Sequence, residues 1–350
     1  MVGISLLTLV PGELGGSETY VRELLRALDR VGELDYRVLL PPVAPDAAEG
    51  LTADVASKYR RAQTIPERVL AMAVAAARPG PLRARLRNAD VVHYPLTLRI
   101  PPARQPSVVS LLDLQHLDMP QLFSRGERAF RRLAWHRSIR SADCVIVISA
   151  FVRDRAVELL GLEPGRIRVV HLGIDHERFF PGSAEREPVL LYPARHWPHK
   201  NHARLFEAFA QVRSERPDLR LVLTGGGAYG SLPDGVEALG NLDFAQLPAL
   251  YQRASALVFP SLYEGFGQPV LEAMACGCSV ACSDAVSLPE VAGEAARLFD
   301  PRDPADIASA IFDVLAVPAE WAQRGVRRAA GFSWEGTARA HDAVYRELGG

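Results

Sequence analysis

Lysine is nearly missing from this chain. Of 40 basic residues in 350, only Lys58 and Lys200 are lysines. Arginine is the default cation here, so each lysine stands out as a specific choice. Cysteine is scarce too. Cys144, Cys276, Cys278 and Cys282 include no C-x-x-C pair, which argues against a zinc site and for reduced, buried thiols. No D-x-D triplet occurs, so an acidic metal-nucleotide signature is lacking. No apolar run approaches the ~20 residues that a membrane span needs. The first residues, MVGISLLTLVPGELGG, lack a basic leader and a cleavage site and read as a strand and loop. The length suits two domains, and a hydrophobic content of 48% suits a soluble globular chain.

The most informative stretch is 260–283, PSLYEGFGQPVLEAMACGCSVACS. The apolar run Ser255–Phe259 before it reads as a buried strand. A loop with Gly265 and Gly267 follows, and then Pro269, well suited to the start of a helix. Gly277 is placed to end that helix. In a strand–turn–helix of this kind, the backbone N–H groups of Phe266, Gly267 and Gln268 face an anion site at the helix N-terminus. Glu264 and Glu272 flank that site, Glu272 being expected on the first helical turn. Two carboxylates beside an anion make sense when the ligand also carries hydroxyls, which carboxylates accept well. A nucleoside-diphospho sugar has both groups. Glu264 is then suited to sugar hydroxyls and Glu272 to ribose hydroxyls.

With its two glutamates eight positions apart, E-G-F-G-x-P-x-L-E-A-M-A-x-G resembles the donor-site signature of the family-4 retaining glycosyltransferases, mannosyltransferases among them. The resemblance spans nearly the whole chain. It implies an α/β chain of GT-B architecture: two Rossmann-like domains with parallel sheets facing each other across a cleft. The expected divisions are an acceptor-side domain at 1–180, a nucleotide-sugar domain at 181–333, and a final helix at 334–350 packed back on the first domain.

Other segments fit the same pattern. The loop PGELGGS brings Gly15 and Gly16 to the start of a helix expected from Glu18 to Val31, with Ser17 as its cap. In the family this loop faces the donor phosphates or the acceptor. Runs at Ile4–Leu9, Tyr36–Leu40, Ala89–His93, Ser107–Leu112 and Cys144–Ile148 read as strands of a parallel sheet. Ligands of such sheets lie at the strand C-terminal ends, where His93, Asp113, His116 and Ser149 fall. A His-Asp pair often ends this strand in the family; here Leu112 replaces the histidine, Asp113 remains and His116 follows. Asp113 and His116 are therefore the acceptor-side candidates. In ARHWPHKNH, Arg195 and Lys200 stand five apart, as do the family residues that bind the donor diphosphate. Two fixed cations are what metal-free departure of a diphosphate requires. GGGAYG satisfies G-x-G-x-x-G, but SLPDG follows where a helix would have to begin, which argues against a nicotinamide fingerprint. Gly225 opens that loop on the donor side. Leu242 is the candidate for backbone contact with the nucleobase.

The expected function is transfer of a hexose, of mannose or glucose type, from a nucleoside-diphospho sugar to a hydroxyl of a glycan, glycolipid or metabolite. Retention of configuration, no metal and no separate cofactor are expected. Asp113, His116, Arg195, Lys200 and Glu264 are the catalytic candidates. Gly15, Gly16, Gly225, Leu242, Phe266, Gly267 and Glu272 are the donor-binding ones. A nucleotide-sugar epimerase and a non-catalytic sugar-nucleotide-binding subunit remain open alternatives. No nucleic-acid partner is expected. The net charge of −1 is unevenly spread, with 25 basic against 21 acidic residues up to 185, and residues 58–104 carry ten basic and two acidic ones. A cytoplasmic chain making peripheral contact with an anionic inner membrane face fits that imbalance.

Overall fold

The strands form two all-parallel sheets of seven and six in a computed structural model that describes residues 1–57, 59, 65–183 and 185–349. The chain divides into two units. One holds Met1–Gly173 and the chain from Trp334 onward; the other is Ile174–Ser333. The change of unit thus falls at 173/174, ahead of the 180/181 division expected from sequence.

In the first unit the order is β3-β2-β1-β4-β5-β6-β7. The strands are β1 (Val2–Ser5), β2 (Tyr36–Leu40), β3 (Thr52–Val55), β4 (Val91–Tyr94), β5 (Ser107–Leu111), β6 (Cys144–Val147) and β7 (Ile167–Val169). Central strands such as β5 and β6 are buried along their whole length. They read as apolar runs because helices cover both faces of a parallel sheet. The Gly16–Val31 helix buries Tyr20, Val21, Leu24, Leu25 and Leu28, the stripe its spacing predicts. The second unit has the order β10-β9-β8-β11-β12-β13. Its strands are β8 (Glu187–Pro193), β9 (Arg220–Thr224), β10 (Val236–Ala238), β11 (Ala254–Phe259), β12 (Ser279–Ser283) and β13 (Arg297–Phe299).

Several boundaries depart from expectation. β1 ends at Ser5, although the apolar run continues to Leu9. Leu6, Leu7 and Leu9 are buried in the following turns, and apolarity alone cannot separate a strand from a buried turn. Ser17 lies inside the first helix, whose cap is Gly15. β3 and β7 are short outer strands without a strong apolar run. The 125–140 helix is continuous but contains a π-helical segment at Arg131–Trp135. All four cysteines are free and buried.

The closing helix, Trp334–Gly349, packs on the Gly16–Val31 helix of the first unit. A buried polar network ties it down. The Tyr345 hydroxyl is 2.7 Å from His93 Nδ1, and His93 Nε2 is 2.8 Å from Ser110 Oγ. Tyr20 bridges Ser110 and His341 at 2.8 and 3.1 Å. The Tyr36 hydroxyl donates to Asp342. His93 therefore belongs to the core and not to an open strand end. Ser149 caps the Ala150–Leu160 helix through the Val152 N–H.

Candidate functional site

The second unit carries the donor-side candidates on loops after its strands. β8 ends at Pro193, and the turn that follows carries Arg195 and Lys200. Asn201 closes this turn with a positive φ of 62° and then begins the His202–Glu215 helix. Its amide donates to the Pro260 and Pro301 carbonyls at 3.1 and 2.6 Å. The Tyr192 hydroxyl donates to the Lys200 carbonyl at 2.5 Å. Lys200 is thereby held by both its backbone and the residue after it.

The Lys200 ammonium donates to Glu264 Oε1 at 2.5 Å. It also sits 5.5 Å from the centre of the Phe259 ring, at the end of β11. Arg195 is exposed, with its guanidinium 5.4 Å from the Trp197 ring. Gly225 packs against the same turn. A Cβ there would come within 2.9 Å of the Ala194 carbonyl carbon and the Arg195 nitrogen, so only glycine lets the two loops touch. The Gly225 N–H donates in turn to the Gly240 carbonyl at 2.9 Å, tying in the loop that bears the half-buried Leu242.

Two neighbouring histidines are uncharged at neutral pH. Burial, followed by the nearby Lys200 charge, pushes His199 down to about 4. Burial and His196 push His202 down to about 4. The rings of Tyr192, His196 and Tyr229 surround His202 at 4.9–5.4 Å between centroids.

After β11 the chain passes Glu264 and the buried Phe266 to Gly267, which begins the Gln268–Ala275 helix with a φ of 115°. No side chain caps this helix. A Cβ on Gly267 would lie 2.5 Å from Leu288 Cδ2. The Ser287 hydroxyl is shared between the carbonyls of Glu264 and Phe266, at 3.0 and 2.8 Å, which clamps the loop from outside. Gly277 ends the helix: its N–H reaches Met274 O and the Cys278 N–H reaches Ala273 O, a Schellman closure.

Glu272 corrects an expectation. It lies on the second turn of the helix and is only 5% exposed. It accepts a hydrogen bond from the Tyr251 hydroxyl at 2.7 Å. Burial raises its carboxyl to about 7, opposed by the Tyr251 hydrogen bond and the Arg178 charge. Tyr251, Ser287 and Asn201 were missed by sequence reasoning. Tyr251 and Ser287 act across the fold from segments without a motif of their own, while Asn201 lies within ARHWPHKNH beside Lys200.

In the first unit, Gly15 and Gly16 face open space, with nothing within 4 Å of where a side-chain methyl would stand. Asp113 Oδ1 accepts the Gln115 N–H at 3.1 Å. His116 is not an open strand-end group. It is 1% exposed, and its Nε2 lies 3.0 Å from His136 Nε2. Burial, then Arg131, lowers its pKa to about 4. Lys200 with Glu264, Arg195 with Gly225, and Phe266 with Gly267 are thus brought together in one unit, while Asp113, His116, Gly15 and Gly16 belong to the other. Among the described residues, no three His, Cys, Asp or Glu side chains cluster as metal ligands, and no helix is long and apolar enough to cross a membrane.

Comparison with known proteins follows the same division. A family model described as Glycosyltransferase Family 4 matches residues 14–178, and one described as Glycosyl transferases group 1 matches residues 173–329. O-antigen chain mannosyltransferase B of Escherichia coli is 29% identical over 273 residues, covering 70% of this chain and 71% of that protein. D-inositol 3-phosphate glycosyltransferase 2 of Catenulispora acidiphila is 31% identical over 241 residues, or 59% of this chain and 56% of its own length. MMP alpha-(1->4)-mannosyltransferase of Mycolicibacterium hassiacum is 34% identical over 222 residues, or 59% and 54%. The match thus spans only a little over half of the last two relatives. In fold, sucrose-phosphate synthase from Thermosynechococcus elongatus aligns with a TM-score of 0.80 at 22% identity, covering 99% of this chain and 98% of that one. Anabaena HepE, solved with UDP and glucose, aligns with a TM-score of 0.74 at 17% identity over 99% of both chains.

Proposed function

The chain belongs to the family-4 glycosyltransferases and has their GT-B fold, and on that premise we propose that it moves a hexose from a nucleoside-diphospho sugar to an acceptor hydroxyl, with retention and without a metal. The observation that carries this reading is the Lys200–Glu264 pair. A lysine ammonium has three N–H donors. One is spent on Glu264, which leaves two for a leaving diphosphate. Glu264 keeps acceptor capacity for sugar hydroxyls. Arg195, exposed on the same turn, supplies a second cation. Charge developing on the diphosphate is then met by groups already in place, which is where electrostatic catalysis gains most.

Phe266 and Gly267 at the uncapped helix start are the diphosphate contacts in this reading. Glu272 takes ribose hydroxyls, and the backbone at Leu242 contacts the base. Two of the named relatives are mannosyltransferases, and fold neighbours were solved with UDP or UDP-glucose. A hexose on a nucleoside diphosphate is the donor class these share. Asp113 and His116 serve the acceptor. The acceptor hydroxyl attacks the same face that the diphosphate leaves, and the leaving phosphate takes its proton.

A membrane-presented acceptor is supported by the Ile65–Ala77 helix. Leu70 and Val74, one turn apart on it, are 47% and 54% exposed, with exposed Ala73 and Ala77 on the same helix and exposed Arg78 directly after it. An exposed apolar stripe beside an arginine suits an anionic bilayer surface. Lys58, Arg60 and Arg61 of the same basic stretch lie outside the described residues.

The test is nucleoside diphosphate release from a panel of UDP-, GDP- and dTDP-sugars in EDTA, with and without a hydroxyl acceptor. Acceptor-dependent release supports transfer. Equal release without acceptor indicates a hydrolysing epimerase, and release that requires added Mg²⁺ contradicts the metal-free reading.

A further inference from the structure

The first unit contains a guanidinium that is held by ring stacking, with the Asp113 and Glu127 carboxylates near enough to act on it only through their charge. Arg131 stacks on two rings, 4.7 Å from the Phe123 centroid and 4.2 Å from the Trp135 centroid. The guanidinium makes no hydrogen bond or ion pair among the described residues. Cation–π contacts fix its plane while leaving its edge, and so its N–H donors, unspent. The π-helical segment Arg131–Trp135 sets the spacing of Arg131 and Trp135, which both lie within the widened turn; Phe123 comes from the preceding segment. Such insertions carry a helix-stability cost and recur at functional sites.

His116 shares both rings with Arg131. Its centroid lies 6.4 Å from that of Phe123 and 5.8 Å from that of Trp135, both in edge-on geometry. One ring nitrogen, Nε2, meets His136. The other, Nδ1, is buried and has no hydrogen-bond partner among the described residues. A buried polar atom left unpaired is costly, and in a native protein it needs a reason. Gln115 Nε2 and Arg128 Nε, on the same two segments, are buried without a partner among the described residues as well. Arg128 lies one turn before Arg131 on the same helix face. Three of these four groups, Arg131, Arg128 and Gln115, can only donate through the atoms in question. His116 becomes a fourth donor when His136 donates its Nε2 proton and the His116 proton moves to Nδ1. Such a set of donors has Asp113 and Glu127 within electrostatic reach but no oxygen hydrogen-bonded to the unpaired nitrogens among the described residues.

We propose that His116, Arg131 and their neighbours on the 115–131 segments form an anion subsite that binds a phosphate or carboxylate borne by the acceptor. This rests on the acceptor-side reading of Asp113 and His116. Asp113 lies close enough to Arg131 to influence it electrostatically. It is thus placed to receive a hydroxyl of an acceptor whose anionic group is held by the guanidinium. His116 Nδ1 is covered in this state, so a side chain over it must shift on binding. Neutral sugars lack the group that would replace the stacking contacts, so the subsite selects charged acceptors.

The experiment is a titration of histidine-labelled protein with inorganic phosphate, followed by NMR of the imidazole nitrogens at constant ionic strength. A parallel titration uses acetate. A saturable shift of the His116 resonance in the millimolar range is expected, weakened at least tenfold in Arg131→Gln and less in Arg131→Lys, which keeps the charge but loses the fork. Phosphate binding tighter than acetate identifies a phosphate-bearing acceptor; equal or tighter acetate binding identifies a carboxylate. The buried His93 and His341 resonances report in the same spectra that the first unit of each variant is folded. An unsaturable shift, or phosphate affinity unchanged in Arg131→Gln, overturns the proposal. A protein that transfers no sugar but still loses phosphate binding in Arg131→Gln keeps the anion subsite and loses only the transferase reading.

Discussion

Lys200 Nζ lies 2.5 Å from Glu264 Oε1, with 14% of each side chain exposed. The two residues come from loops 64 positions apart. Each is fixed independently, Lys200 through Tyr192 and Asn201, and Glu264 through the Ser287 hydroxyl on its carbonyl. The pair is held at the end of β11 before any ligand arrives, which is the condition for electrostatic preorganisation.

In the proposed role, Lys200→Ala removes a donor to the leaving diphosphate, and it strands Glu264. Turnover should fall about 10²–10³-fold, the cost typical of one lost oxyanion donor. Stability should fall by about 1.5–3 kcal/mol, the scale of a charged hydrogen bond. Lys200→Met combined with Glu264→Gln should recover most of the stability and none of the activity. Denaturant unfolding and steady-state kinetics on the same preparations check both. Activity recovered in the double variant would show that the pair is only structural.

In the proposed ribose role, Glu272 would make donor binding depend on pH. Its folded value, about 7, lies above the ordinary 4.5. The contribution of the protonated form to stability is therefore complete below about pH 4.5 and is lost as pH rises through about 7. Ribose hydroxyls need the ionised carboxylate, so nucleoside diphosphate affinity should rise across the same window. Glu272→Gln should weaken nucleotide binding by about 1–3 kcal/mol at pH 8, flatten that pH dependence, and raise the melting temperature above pH 7. Calorimetric titrations from pH 6 to 8.5 read the affinity; a wild-type affinity that falls with pH would contradict the role.

The sheet strands and the central strand–turn–helix were legible in the sequence because parallel strands are continuous apolar runs and glycine and proline punctuate the turns. The pairing of Arg195 with Lys200 on one turn was legible from spacing, and its meaning only from family resemblance. Burial of Glu272 was not legible. It depends on Tyr251, which arrives from the preceding Leu247–Arg253 helix, and no local pattern announces a hydroxyl 21 residues away. His93 and His116 sit where strand ends invite a functional reading, yet both are enclosed by side chains from distant segments. Periodicity predicts which face is inward, but not which polar groups will meet there.

The same enclosure predicts that the first unit is acid-sensitive. Burial holds His341 at about 4 and His93 well below the usual 6.5. Stability tied to their neutral forms is complete above about pH 6.5 and is lost as pH falls toward 4. Hydrogen-exchange protection factors in the Trp334–Gly349 helix, corrected for the intrinsic rate, should fall over that range. Tyr345→Phe, which removes the hydroxyl at His93, should move the onset to higher pH. Protection factors unchanged between pH 7 and 4.5 would contradict the network's role.

Membrane contact is tested by flotation with vesicles. The protein should float with anionic and not with zwitterionic liposomes, and high salt should release it. Leu70→Glu with Val74→Glu should abolish flotation while leaving nucleotide affinity unchanged. Failure of the wild-type protein to float with anionic vesicles at low salt makes a soluble acceptor the expectation.

The most direct test of the central claim is the anomeric configuration of the product. An α-linked nucleoside-diphospho hexose supplied with an accepted hydroxyl compound, in EDTA, should yield a glycoside whose one-bond C1–H1 coupling in the NMR spectrum is that of the α anomer. A β-linked product, or free hexose with no glycoside formed, would contradict a retaining transferase.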